Sequence, residues 1–241
     1  MFCGNKQSLK FRVEQKKGQV SLATLIAQGE HDQQDFKLRI DDSKKIAITL
    51  SAFANTKGGR LLIGVKDNGK VAGLKSIDEE YHMIKAAAEM YCKPTLDFSA
   101  ETSLETGKQV LIITIAESET KPVLAKNPEL KWRAYERVHD ENFMLNSVVV
   151  KALGMKRSTA KPLNLEPRFI RFLKEIENRE SFSFSFLKRG LKISNRETEF
   201  MLATLIHWQV INYNVGPKGI DYSINRTQRT NHLLSESAVR N

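Results

Sequence analysis

Along this chain, apolar and polar positions repeat with two periods, and the switch from one to the other marks the elements. DFKLRI, from Asp35, alternates with period two and predicts a strand. In KKIAITLSAFANT the apolar residues Ile46, Leu50 and Phe53 recur at helical spacing, behind Asp41, Asp42 and Ser43 as N-cap residues. The paired glycines of Asn55-Thr56-Lys57-Gly58-Gly59 provide an exit from that helix, and the nearly continuous apolar run RLLIGVKD predicts a buried strand. The turn signal Asp67-Asn68-Gly69-Lys70 predicts a hairpin between strands at 60–66 and 70–74. Helical spacing of Ile77, Tyr81, Ile84, Ala88 and Tyr91 predicts a second helix over 77–92, ended by Pro94. TLDFSAETS and KQVLIITIAES read as a second hairpin, PVLAK and WRAYERV as two shorter strands, and 141–153 as a closing helix. Upstream, residues 8–14 alternate as a strand, while SLATLIAQGE fits either a strand or a short helix.

GMKRSTAKP is polar and basic, as linkers are. Beyond it, EPRFIRFLKEIENRE predicts an amphipathic helix with Phe169, Phe172, Leu173 and Ile176 on its apolar face. SFLKRGLKIS predicts a short helix, Ser194-Asn195 opens a third over RETEFMLATLIHWQVI, and INYNVGPKGIDYSI predicts two strands around a Gly-Pro-Lys-Gly turn. That order is the order of a winged helix-turn-helix. The expected organisation is a mixed α+β domain over 1–153, a linker over 154–163, a winged helix-turn-helix domain over 164–225 and a polar tail over 226–241.

Charge sharpens the picture. The chain carries a net charge of +10, and residues 151–241 hold 16 Lys and Arg against 8 Asp and Glu. A polyanion is the partner this predicts. No apolar run approaches the roughly 18 residues of a membrane span, and the start lacks a signal-peptide pattern, so no membrane partner is expected. Cys3 and Cys92 stand far apart and the five histidines are scattered, which excludes a disulfide framework and a structural zinc site and fits a cytoplasmic location. KDNGKVAG has Val71 where an ATP-binding box needs a second glycine, and no Walker lysine-serine pair is present, so an ATPase is not expected.

One stretch is more specific. EHDQQDFK, SAFANTKGGRLLIGVKDNGKVAG and AYERV together resemble the Schlafen/AlbA-like domain family, through Glu30, Asp35, Phe36, Lys37, Ala52 to Thr56, Gly58, Gly59, Ile63 to Val65, Asp67 and Gly69. The resemblance covers residues 8–150. It implies a mixed α/β domain associated with nucleic acid, fused in bacterial members to a winged helix. A DNA-binding transcription regulator, acting as a homodimer without a cofactor, is the function it implies. The alternative is a ribonuclease, because in animal members the matching carboxylates form a metal-dependent site acting on structured RNA. Carried over by position, Glu30, Asp35 and Asp67 would be catalytic and would hold Mg or Mn. Asp35 stands where the family has a glutamate.

Two groups of residues are the expected nucleic-acid contacts. Lys37, Arg60, Arg133 and Arg137 lie on strands that the resemblance brings to one surface, and Arg133, Tyr135 and Arg137 share one side of a strand by alternation. In the C-terminal part, Lys188, Arg189 and Lys192 precede the turn, Asn195 and Arg196 open the third helix for base readout, and Lys218 tips the wing. DNA or RNA fits both groups.

Overall fold

A computed structural model describes residues 20–155 and 167–226, in two compact units that divide after Met144. The strand expected at residues 8–14 and the tail lie outside the described residues.

Among the described residues, the first unit opens with helix α1 (Leu22–Ala27), started by the Ser21 hydroxyl, which accepts from Thr24 N at 3.1 Å. Strand β1 (Gln34–Lys37) leads to helix α2 (Ser43–Asn55), where the Asp42 carboxylate caps Lys44 N at 2.7 Å. Strand β2 (Gly59–Ile63) runs parallel to β1 and antiparallel to β5 (Lys108–Ile115), which pairs in turn with β4 (Ser99–Glu105). The four form a mixed sheet of order β1-β2-β5-β4. Helix α3 (Ile77–Met90) starts at Ser76 and carries Asp78, Glu79 and Glu80 at the positive end of its dipole. A second, antiparallel sheet has the order β3-β6-β7-β8, from Cys92–Lys93, Leu124–Lys126, Trp132–Val138 and Glu141–Met144.

Period two divides the central strands between two cores. Leu61 and Ile63 of β2, with Leu111, Ile113 and Ile115 of β5, face α2, α3 and the second sheet. Leu62, Val110 and Ile112 face the other way, against α1 and Phe36. Both faces of the sheet are covered at its centre, which is why β2 and β5 read as nearly unbroken apolar runs. Between the two sheets α2 is buried well beyond the predicted stripe, down to Ser51 and Asn55.

Two expectations are corrected here. The hairpin at 60–74 shrinks to a single bridge, Val65 to Val71, because Gly64 turns at φ 102° and its carbonyl takes both Ala72 N and Gly73 N. The closing helix at 141–153 is instead strand β8 followed by helix α4 (Ser147–Gly154), capped by Asn146, and α4 belongs to the second unit. Val148 and Ala152 are part of that unit's core, so the boundary lies before α4, ahead of the expected linker at 154–163.

The second unit continues with α5 (Pro167–Ile176), α6 (Phe184–Leu191), α7 (Asn195–His207) and the antiparallel pair β9 (Ile211–Gly216) and β10 (Gly219–Ile224). Phe172, Ile176, Leu187, Leu202, Leu205, Ile211 and Tyr222 are among its core residues. Tyr222 ties the pair to the rest: its backbone exchanges hydrogen bonds with Phe182, and its hydroxyl accepts from Asn146 Nδ2 at 3.0 Å.

Candidate nucleic-acid interface

In the first unit, the segment around Glu30, Asp35 and Arg137 is built as an internal ionic network. Asp35, 3% exposed, meets Arg137 Nη2 through Oδ1 at 3.0 Å and Lys37 Nζ through Oδ2 at 2.8 Å. Arg137, 2% exposed, also donates to the carbonyls of His31 and Gln34 and to Asn142 Oδ1, and its guanidinium lies 5.2 Å from the Phe53 ring centroid. Glu30 accepts from Phe36 N at 2.8 Å. Burial raises the Glu30 pKa and neighbouring Asp35 adds to the shift, against the opposing pull of the Phe36 N–H and Lys37.

The glycine-rich end of α2 serves the same junction. The Asn55 side chain donates to the carbonyls of Val123 and Tyr135, both at 2.9 Å, and accepts from Val123 N at 2.8 Å. Thr56 Oγ1 accepts from Arg137 N at 3.0 Å. At Gly58 (φ 72°) a Cβ would stand 2.7 Å from the Ile115 carbonyl, and at Gly59 it would stand 2.3 Å from the Phe53 ring, so neither position has room for a side chain. The motif residues thus join α2 and β1 to the second sheet, and the glycines do not shape an open phosphate cradle.

This geometry does not gather the three expected carboxylates into one cluster. Glu30 and Asp35 are neighbours, but Asp67 is exposed on the turn that follows Val65. No group of three His, Cys, Asp or Glu among the described residues is placed to hold a metal ion. Both oxygens of Asp35 already face cations, and a divalent metal there would compete with a guanidinium and an ammonium. The residues do not fit Mg or Mn.

It also corrects the strand cations. Arg133, Tyr135 and Arg137 do share one side of β7, but Arg137 is committed internally and Tyr135 is buried in the core, so neither offers a surface to phosphate or base. Arg133 is exposed, Arg60 is half-buried, and Lys37 is half-buried and paired with Asp35.

In the second unit the expected contact residues stand apart from acids. Arg189, Lys192, Asn195, Arg196 and Lys218 are exposed, Lys188 is half-buried, and none of the five cations forms an ion pair with an acid among the described residues. Local structure explains the display. Helix α6 ends at Lys192, whose left-handed conformation (φ 53°) turns the chain toward Ser194. Ser194 opens α7 with a capping box: its hydroxyl accepts from Glu197 N, and the Glu197 carboxylate accepts from Ser194 N at 2.9 Å. Glu199 pairs with Lys151 of α4 at 2.6 Å. Of the two acids near the start of α7, Glu199 is thus paired with a lysine and Glu197 is held by the helix cap, while Asn195 and Arg196 are exposed. Sequence reasoning missed the Lys151 pair, since nothing in the spacing announces that α4 lies on α7.

No described helix is long and apolar enough to cross a membrane. The family described as Schlafen, AlbA_2 matches residues 30–146. No curated protein matches the chain. Among solved structures, the DIP2311 protein from Corynebacterium diphtheriae aligns over 80% of this chain and 34% of its own, with 17% identity and a TM-score of 0.40. This chain thus spans about a third of that protein's length. The N-terminal domain of a protein from Nitrosomonas europaea, described as related to the ATP-dependent DNA helicase RecG, aligns over 48% of this chain and 85% of its own, with 27% identity and a TM-score of 0.38. The mixed α+β architecture, the Glu30 to Gly69 signature and the family match converge: residues 30–146 of this chain form a Schlafen AlbA_2 domain.

Proposed function

We propose that this chain is a nucleic-acid-binding protein, and more narrowly a DNA-binding transcription regulator acting as a homodimer, whose second unit is a winged helix-turn-helix. The observation that carries this reading is the set of exposed cations Arg189, Lys192, Arg196 and Lys218, none neutralised by an acid among the described residues. Exposed unpaired cations contribute little to folding and are suited to displacing counterions from a phosphate polymer. The order α5, α6, turn, α7, β9, β10 supports the winged-helix reading, with α7 as the recognition helix and the β9–β10 turn as the wing. Asn195 and Arg196 in the first turn of α7 would then face base edges, and Arg189, Lys192 and Lys218 would face phosphates. The Schlafen AlbA_2 domain supports the broader reading, with Arg60 and Arg133 as its contribution to phosphate contact.

Titration of labelled duplex DNA at two salt concentrations tests the proposal. Affinity is expected to fall tenfold or more between about 50 and 200 mM salt. Arg196→Ala should cost about 1–3 kcal/mol of binding with no loss of thermal stability. Binding that ignores salt, or no binding, would overturn the reading, and a matched RNA duplex bound more tightly would overturn the choice of DNA.

A further inference from the structure

Helix α7 carries a feature that the cations do not explain. Phe200 is 60% exposed in the middle of the helix, although Thr198, Met201, Leu202, Ala203 and Leu205 around it are buried. Helical geometry shows why. Positions 196, 200, 204 and 207 fall on one stripe at 3.6 residues per turn. The core holds the opposite side, and α4 covers the flank that carries Glu199 and the buried Ala203. Phe200 therefore sits at the centre of the solvent-facing stripe, one turn beyond Arg196. An aromatic ring left in water forgoes burial that a partner can recover.

From this placement we infer that Phe200 is a specificity-determining residue that packs on the C5-methyl groups of thymine in the major groove. The inference rests on the proposed role of α7 as a recognition helix. The stripe begins with Arg196, and the turn before it carries Lys192 and Arg189, with no acidic partner among the described residues. A surface of that sign selects a polyanion over an acid-neutral protein surface. The thymine methyl is an apolar group on the major-groove edge of DNA, and a phenylalanine, which has no hydrogen-bonding group, reads that edge by apolar contact. Uracil lacks that methyl, so the same contact would separate DNA from RNA.

The test compares the full chain on two duplexes of alternating sequence, one of adenine and thymine and one of adenine and deoxyuridine, at low salt. Each methyl contact is worth about a three- to fivefold difference in affinity. The wild type should therefore bind the thymine duplex at least that much more tightly. Phe200→Ala should bind both duplexes equally, near the wild-type affinity for deoxyuridine, and Phe200→Leu should retain part of the preference. Equal wild-type affinity for the two duplexes would overturn the inference while leaving DNA binding intact. A preference that persists in Phe200→Ala would also overturn it, as would a change of oligomeric state in that variant, which would assign the ring to a second copy of the chain. Failure of the wild type to bind either duplex would instead overturn the role of α7. Because Phe200 lies outside the core, an unchanged melting temperature in Phe200→Ala checks that the variant is folded.

Discussion

At the scale of single residues, Arg137 decides between two kinds of arginine. It is fully enclosed with one carboxylate, two backbone carbonyls and an amide oxygen as partners. Removing one member of such a buried pair leaves the other charged and desolvated, which costs about 3–5 kcal/mol. Arg137→Ala should therefore lower the denaturation midpoint strongly, as chemical unfolding followed by circular dichroism would show. Arg196→Ala should leave that midpoint alone. Glu30 supplies a pH signature. Its folded pKa lies above the ordinary glutamate value, so between the two the folded chain keeps a proton that the unfolded chain has released. Its contribution to stability falls as pH rises through that window. Glu30→Gln carries no titratable proton and can still accept from Phe36 N. Its stability curve should lack that decline when urea unfolding is compared from pH 4 to pH 8. Alternation along β7 correctly grouped Arg133, Tyr135 and Arg137, but period two only says which residues share a side. Whether that side faces water or the core depends on Asp35, which is about a hundred positions away in the chain.

Among the elements, those with long, clean periodicity were legible: α2, β5 and α7 stand close to where the pattern predicts them, and the caps at Asp42 and Ser194 were readable from residue type. ENFMLNSVVV was not. It is a short apolar stretch with no decisive period, and it divides at Leu145-Asn146 because the Asn146 side chain caps α4. The same residue has a second job, donating to the Tyr222 hydroxyl. Tyr222→Phe should cost about 1 kcal/mol, since Asn146 Nδ2 loses its acceptor, and differential scanning calorimetry should register a small fall in melting temperature.

For the whole molecule, the useful quantity is where one core stops and the next starts. Composition pointed to residues 154–163, because a polar basic stretch looks like a connection. Burial points ten residues earlier, because Val148 and Ala152 fill the second core. A fragment beginning at Leu145 should unfold cooperatively on heating, and one beginning at residue 156 should not, having lost the helix that covers α7. The site was legible to a similar degree. Residue type alone suggested that the cations of the second unit lie at the surface, because surface charge is local information. It could not foresee how the carboxylates of the first are arranged, because a family signature reports that residues matter without reporting whether they meet substrate or one another.

The contact between Lys151 and Glu199 has a final implication. Lys151 belongs to α4, outside every group of expected contacts, yet it masks a negative charge on the helix that presents Arg196. Lys151→Ala would unmask that charge and should weaken DNA affinity by about two- to threefold at low salt, an effect that added salt would erase. A lysine outside the expected contacts would thus help set how strongly a nucleic acid is held, through its neighbour's charge and without a change of fold.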